Sequence, residues 1–371
     1  MLQLLILRGI TVTAKMFLIL TVLFGATAMA VAQDEVIRVD TQLVDVPIAV
    51  SSANGLPLRG LTKSNFIVYE DGKRQETIDF SATAAPFEVA LLLDTSGSTR
   101  NDLYLIQRAA KSFIAGLRPG DRVSIVAFNT SRTSTEAFAV SEILIGLTSD
   151  RAMLGGAIDN LKTSNGTPYY DSLIQVIEKV FRDKPKDEFR GRRALVALTD
   201  GVDSTSAEGF ATVKEELGQI GIISFFIKVD TREYFESNLL GDCRAATRFS
   251  QAQIRRYYKS FNPKAKMEKA VDFCGLGEFE RLAISKKLYE IADAEMNELA
   301  KNSGGKVFPV ADLSEARNAF KSVADEIGTK YTLGYYPSND KRDGTYRKIK
   351  VEVTGLPKGT TVRAREDIPH R

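Results

Sequence analysis

Two short apolar runs, Phe87-Glu-Val-Ala-Leu-Leu-Leu93 and Arg193-Ala-Leu-Val-Ala-Leu-Thr199, are each followed at once by an aspartate. They do not alternate, so they suit strands buried on both faces, the situation of a parallel sheet covered by helices. Asp121–Phe128, Ile222–Val229 and Lys306–Val310 read as further strands, and residues 134–140 as an edge strand. Between the strands lie apolar residues at helical spacing. They are Leu103, Ile106, Ala110, Phe113 and Leu117, then Tyr170, Leu173, Ile174, Ile177, Val180 and Phe181. Further on come Leu288, Ala292, Met296 and Leu299, then Leu313, Ala316, Phe320, Val323 and Ile327, with Asp312 and Glu315 placed for a capping-box-like start. The alternation over residues 86–330 predicts an α/β domain with a doubly wound, mostly parallel sheet and right-handed crossovers.

The flanks follow another pattern. Residues 33–85 are rich in β-branched residues over Val36–Val50, with turn signals at Asn54-Gly55 and, after Phe66–Tyr69, at Asp71-Gly72. The tail, residues 331–371, returns to β character over Tyr331–Tyr336, Tyr346–Val353 and Thr360–Arg365. Neither set is large enough to be stable alone. We therefore expect one small all-β module built from both chain ends, residues 33–85 completed by 331–365. Residues 231–287 are too long for an ordinary connection and read as an insertion, helical around Gln251–Phe261. This segment holds 12 Lys/Arg against 7 Asp/Glu.

Residues 1–32 read as a leader. Arg8 and Lys15 form a basic region, Phe17–Phe24 an apolar core, and Ala30-Val31-Ala32 an A-x-A cleavage signal. The charge-free stretch of 17 residues from Met16 to Ala32 also reaches the short limit for an uncleaved membrane anchor. On either reading the rest of the chain works outside the cytoplasm, as a periplasmic, cell-surface or secreted protein. Cys243 and Cys274, the two cysteines, would form one disulfide in an oxidising compartment, with two buried thiols as the alternative. A net charge of +3 over 371 residues gives no footprint for nucleic acid or an anionic membrane. Arg255-Arg-Tyr-Tyr-Lys259 reads as a solvated helix face.

Ligand sites of parallel α/β sheets form beyond the carboxyl ends of the strands, near the switch point. Asp94-Thr-Ser-Gly-Ser98 and Asp200-Gly201 follow buried strands directly and should share that edge. Thr167, in Asn165-Gly-Thr-Pro168, lies in a loop before a helix and could reach it. Asp94, Ser96, Ser98, Thr167 and Asp200 are all oxygen donors, which suits a hard cation such as Mg²⁺, or Mn²⁺ or Ca²⁺ in its place. Gly97, Gly166 and Gly201 would let the backbone turn tightly. Asp203 reads as a helix N-terminal residue rather than a ligand. A site with so few carboxylates leaves the ion uncancelled positive charge, which an incoming carboxylate can neutralise.

Asp94-Thr-Ser-Gly-Ser98 resembles the D-x-S-x-S signature of the metal-ion-dependent adhesion site in von Willebrand factor type A domains. Leu198-Thr-Asp-Gly201 and Thr167 fit the same pattern. The resemblance covers about residues 86–330 apart from the insertion, and implies a Rossmann-like fold with those five residues as ligands, some through water. The flanks, in Leu61–Gly72 and Leu333-Gly-Tyr-Tyr-Pro337, are similar to bacterial exported VWFA-related proteins.

Catalytic readings find little support. His370 is the single histidine and lies at the chain end, which removes Ser-His-Asp, Cys-His and histidine-based zinc chemistry. No G-x-x-x-x-G-K-[ST] loop is present. An Mg²⁺-dependent phosphotransfer through Asp94 is weakened by Ser96, which stands where phosphoaspartyl enzymes carry a second aspartate. The sequence thus predicts a non-catalytic protein that captures an acidic group on a protein partner. The alternative is a scaffold subunit of an envelope complex, with the cation serving stability alone. The insertion leaves the sheet at Asp230, on the same edge, and is expected to overhang the site.

Overall fold

The two apolar runs become neighbouring strands at the centre of a six-stranded sheet. The computed structural model describes residues 43–81, 85–237, 239–240, 242, 248–264, 271–339, 341 and 343–369. The leader 1–32, Cys243 and His370 lie outside these described residues. First come β1 (Val44–Ser51), β2 (Phe66–Glu70), β3 (Lys73–Gln75) and β4 (Thr77–Ser81). The α/β part runs β5 (Glu88–Leu93), α1 (Leu103–Gly116), β6 (Arg122–Arg132), β7 (Ala137–Thr148), α2 (Arg151–Asp159), α3 (Tyr169–Gln175), β8 (Arg193–Thr199), α4 (Phe210–Ile220) and β9 (Ile223–Val229). Then follow α5 (Arg232–Ser237), α6 (Gln251–Phe261), α7 (Glu278–Ser303), β10 (Lys306–Val310) and α8 (Ala316–Ile327). The tail holds β11 (Tyr331–Tyr335), β12 (Tyr346–Val353), β13 (Thr361–Ala364) and β14 (Asp367–Pro369).

The central sheet has the order β10-β9-β8-β5-β6-β7, parallel throughout except for the antiparallel edge strand β7. Every residue of β5 and β8 is buried. Val89, Leu91 and Leu93 of β5 pack with residues of α1, α2 and α8 on one face. Ala90 and Leu92 pack with α3, α4 and α7 on the other. This explains the unbroken apolar runs: both faces of the sheet are covered. From β5 the chain passes to β6 on one side and later to β8 on the other. The switch point therefore lies between β5 and β8, the two strands that end in Asp94 and Asp200.

Three sequence expectations change in detail. The edge strand runs 137–148 rather than 134–140, pairing with β6 through register shifts near Val123, Ile125 and Val126. Helix α7 begins at Glu278, so the excursion from the sheet ends ten residues before residue 287. No capping box opens α8, which starts at Ala316. Asp312 instead accepts from the Ser314 amide at 2.7 Å, and Glu315 reaches back to the Ala311 amide at 2.9 Å.

The flanking strands form two four-stranded antiparallel sheets, β13-β1-β11-β4 and β14-β12-β2-β3. Val46, Ile48, Phe66, Val68, Tyr331, Leu333 and Ile349 are buried together between them. The excursion has its own core of Leu239, Phe249, Ile254, Phe273 and Leu276, closed by Ile284 and Leu288 of α7. Ser250 and Gln253 make a capping box at the start of α6. Cys274 is disulfide-bonded.

Candidate metal site

Asp94 is the first residue past β5, and its amide donates to the Leu198 carbonyl at 2.9 Å, extending the β5–β8 ladder by one bond. Its Oδ2 accepts from Thr199 Oγ1 at 2.6 Å and its Oδ1 from the Ser96 amide at 3.0 Å. The second contact folds the chain back, so that Ser96 Oγ and Ser98 Oγ lie 3.3 Å apart. The Thr99 hydroxyl fixes the same turn by donating to the Ser96 carbonyl at 2.9 Å. Asp200 holds the corresponding position past β8. Its Oδ1 accepts from the Val202 amide at 2.9 Å and its Oδ2 from Thr231 Oγ1 at 2.5 Å.

Thr167 is buried, and its loop is bound to the segment that follows Asp200. Its amide donates to Ser204 Oγ at 2.8 Å, and its carbonyl accepts from the Ser204 amide at 3.0 Å. Asp203 adds a second tie, accepting from the Tyr169 amide at 3.0 Å and from Ser206 Oγ at 2.5 Å. It thus serves a helix N-terminus, but that of α3; α4, the next helix along the chain, starts only at Phe210. Asp171 completes the clamp by accepting from the amides of Ala207 and Glu208 at 3.1 and 2.9 Å.

The three glycines differ. Gly201 has φ +73°, and a Cβ there would stand 2.9 Å from Met296 Cε. A Cβ at Gly166 would meet Thr205 Cγ2 at 2.9 Å. Gly97 is exposed, with open space around it and no left-handed backbone, so no steric reason fixes a glycine there.

Burial pushes the Asp94 carboxyl above the usual carboxylate range, against the hydrogen bonds of Ser96 and Thr199. Asp200 is pushed up to about 7, first by burial and next by the charge of Asp94. Among the described residues no lysine or arginine stands among the main influences on either carboxyl. Asp203 rises to about 6, again chiefly through burial. The Tyr169 hydroxyl, also buried, has no hydrogen-bond partner among the described residues. A pair of buried carboxylates without a basic partner is costly unless a cation joins them. Among the described residues no group of three or more His, Cys, Asp or Glu side chains is placed to hold a metal. A cation here would therefore draw on hydroxyls and water beside the carboxylates. That donor set fits Mg²⁺, Mn²⁺ or Ca²⁺ and does not fit zinc.

Sequence reasoning missed Thr199, Thr231 and Tyr289. Thr199 carried a signal, as the last residue of the strand that precedes Asp200. Thr231 and Tyr289 carried none, because only the fold brings them to Asp200.

Residues 89–202 match the family model of the von Willebrand factor type A domain. The chain contains a domain of that family. The matched segment begins in β5 and includes Asp94, Ser96, Ser98, Thr167 and Asp200. Domains of this family are in general protein-interaction modules without catalysis. The chain is similar to the solved von Willebrand factor type A structure from Catenulispora acidiphila, with 12% identity over 89% of this chain and 74% of that one, at a TM-score of 0.41. An aerotolerance-related membrane protein from Bacteroides fragilis gives 15% identity, covering 65% of this chain and 98% of that one, with a TM-score of 0.37. Proximal thread matrix protein 1 of the mussel byssus gives 12% identity, 66% and 49% coverage, and a TM-score of 0.39. No curated protein matches the chain. No helix among the described residues is long and apolar enough to cross a membrane.

Proposed function

We propose that this chain is an exported, non-catalytic binding protein whose von Willebrand factor type A domain takes up a divalent cation, Mg²⁺ first, and uses it to capture a carboxylate on a protein partner. One observation carries this reading. Asp94 and Asp200 follow adjacent strands, are both shifted upward by burial, and have no balancing basic residue among the described residues. When bound, the cation supplies the balancing charge and an open position for an acidic group. Asp94 and Asp200 would hold it directly or through water, Ser96 and Ser98 would add hydroxyl oxygens, and Thr167 would approach from the loop bound to Ser204. Thr199 keeps Asp94 in place.

The test is calorimetric Mg²⁺ titration of the full chain and of Asp94→Ala, followed by capture of partners from envelope extract with and without chelator. Loss of both metal uptake and capture in the variant is the expected result. An Asp94→Ala protein that binds metal and partner as before would sink the proposal. Chelator also separates capture from a scaffold role: in capture, partner release precedes unfolding, whereas in a scaffold the fold fails first.

A further inference from the structure

The chain leaves the central sheet after β9 and returns along α7, and both passages close on Asp200. Thr231, two residues past the end of β9, donates its hydroxyl to Asp200 Oδ2 at 2.5 Å. The same Thr231 oxygen lies 2.7 Å from the hydroxyl of Tyr289, a buried residue of α7. A threonine has one hydroxyl proton, and an ionised carboxylate can only accept. With Asp200 ionised, as a carboxylate holding a cation must be, the Thr231 proton goes to Asp200 and Tyr289 donates to Thr231. The relay runs in one direction, Tyr289 to Thr231 to Asp200. With the Val202 amide on Oδ1, each Asp200 oxygen is fixed by one protein donor. Each keeps acceptor capacity for a further bond.

We propose that Thr231, backed by Tyr289, is a positioning residue of the cation site: it holds the Asp200 carboxylate in its binding orientation and ties the 231–277 excursion to the metal. The inference rests on the reading of Asp200 as a metal ligand. Partners in the layer behind a ligand set its orientation, and losing one typically costs 10- to 100-fold in metal affinity. The excursion has two further anchors near the site. Val202, from the Asp200 loop, packs against its core. Arg256 of α6 meets Glu295 at 2.5 Å and stacks on Tyr170 at 5.0 Å, while the Tyr170 hydroxyl donates to the same Glu295 at 2.5 Å. Tyr170 belongs to α3, the helix that follows Thr167. A partner that shifts the excursion would therefore act on Asp200 through Thr231.

The experiment is Mg²⁺ titration of the full chain carrying Thr231→Val, Thr231→Ser, Tyr289→Phe, the Thr231→Val/Tyr289→Phe pair, or Asp200→Ala. Thr231→Val keeps the shape and removes the hydroxyl, and should weaken Mg²⁺ roughly tenfold or more. Thr231→Ser restores the donor and should bind as the native chain does. Tyr289→Phe should weaken binding less than Thr231→Val. The double variant should be no weaker than Thr231→Val alone, because Tyr289 acts through Thr231; a purely structural role would give additive losses. Native Mg²⁺ affinity in Thr231→Val, beside loss of binding in Asp200→Ala, would overturn the inference. Native affinity in Asp200→Ala would instead overturn the functional reading beneath it. Should Thr231→Val fail to fold, Tyr289→Phe decides: weaker Mg²⁺ binding supports the relay, and unchanged binding overturns it.

Discussion

The two ends of β5 carry equally buried carboxylates in opposite company. Glu88, at the start of the strand, is 3% exposed and meets Arg122 Nη1 at 2.6 Å and Arg193 Nε at 2.9 Å. Asp94, just past its end, is 2% exposed and among the described residues meets only hydroxyls and an amide. Glu88 is a charge the fold balances for itself, and its role is structural. Asp94 has no such balance among the described residues, and the proposed cation would supply it. Asp200 repeats the contrast on the neighbouring strand: β8 begins with Arg193, one of the two arginines on Glu88, and leads into a carboxylate with no basic partner among the described residues.

The largest effect should come from breaking the balanced end. Glu88→Ala strands the nearly buried Arg193 guanidinium and should lower stability by about 3 kcal/mol in urea denaturation, the lower end for a broken buried pair because Arg122 is one-third exposed. Asp94→Asn should do the reverse in metal-free buffer and leave stability equal or higher, since a charge the fold does not balance has been removed. Its loss should appear when cation is added. Mg²⁺ at about 100 times its dissociation constant should stabilise the native chain by about 2.7 kcal/mol and the variant not at all. If Asp94→Asn destabilises the metal-free chain as much as Glu88→Ala does, the contrast between the two ends collapses.

A third measurement uses pH. The folded-state pKa of Asp200, about 7, lies above the ordinary 3.8, so its ionised form is penalised in the metal-free fold above neutrality. That penalty fades as pH falls through 7 toward 4. Metal-free native chain should therefore gain stability relative to Asp200→Asn between pH 8 and pH 5. A constant difference over that range would show that burial does not strain this carboxylate.

The sheet was legible because its two central strands are covered on both faces and must be apolar throughout. Their carboxyl ends were legible with them, since parallel strands place every following loop on one edge. Helix α7 was read too short for a physical reason: in its first turns Arg281 and Ser285 are buried while Phe279 is 88% exposed, inverting the pattern that marks a helix face. The edge strand β7 was underestimated because it is only half covered and its register with β6 slips, which blurs the alternation. The five oxygen donors of the proposed site could be named because they adjoin strand ends or a helix start. Thr231 and Tyr289 could not, because they are 31 and 89 positions away from Asp200 and meet it only through β9 packing beside β8 and α7 packing across that strand pair.

The smallest predicted effects bear on the glycines of the site. Gly201→Ala forces a left-handed backbone on an alanine and brings its Cβ against the buried Met296, so stability should fall by about 1–2 kcal/mol. The Met296 end can move, but only inside a filled core, which keeps the cost above the backbone strain alone. Gly97→Ala has open space and an ordinary backbone, and should change neither stability, to within about 0.5 kcal/mol, nor Mg²⁺ affinity. Gly97 nevertheless sits exposed between Ser96 and Ser98, the two hydroxyls of the proposed cation site. Partner capture by Gly97→Ala therefore distinguishes two roles: unchanged capture leaves Gly97 a bystander, whereas weaker capture with native stability and Mg²⁺ affinity places the partner directly over the Ser96–Ser98 turn.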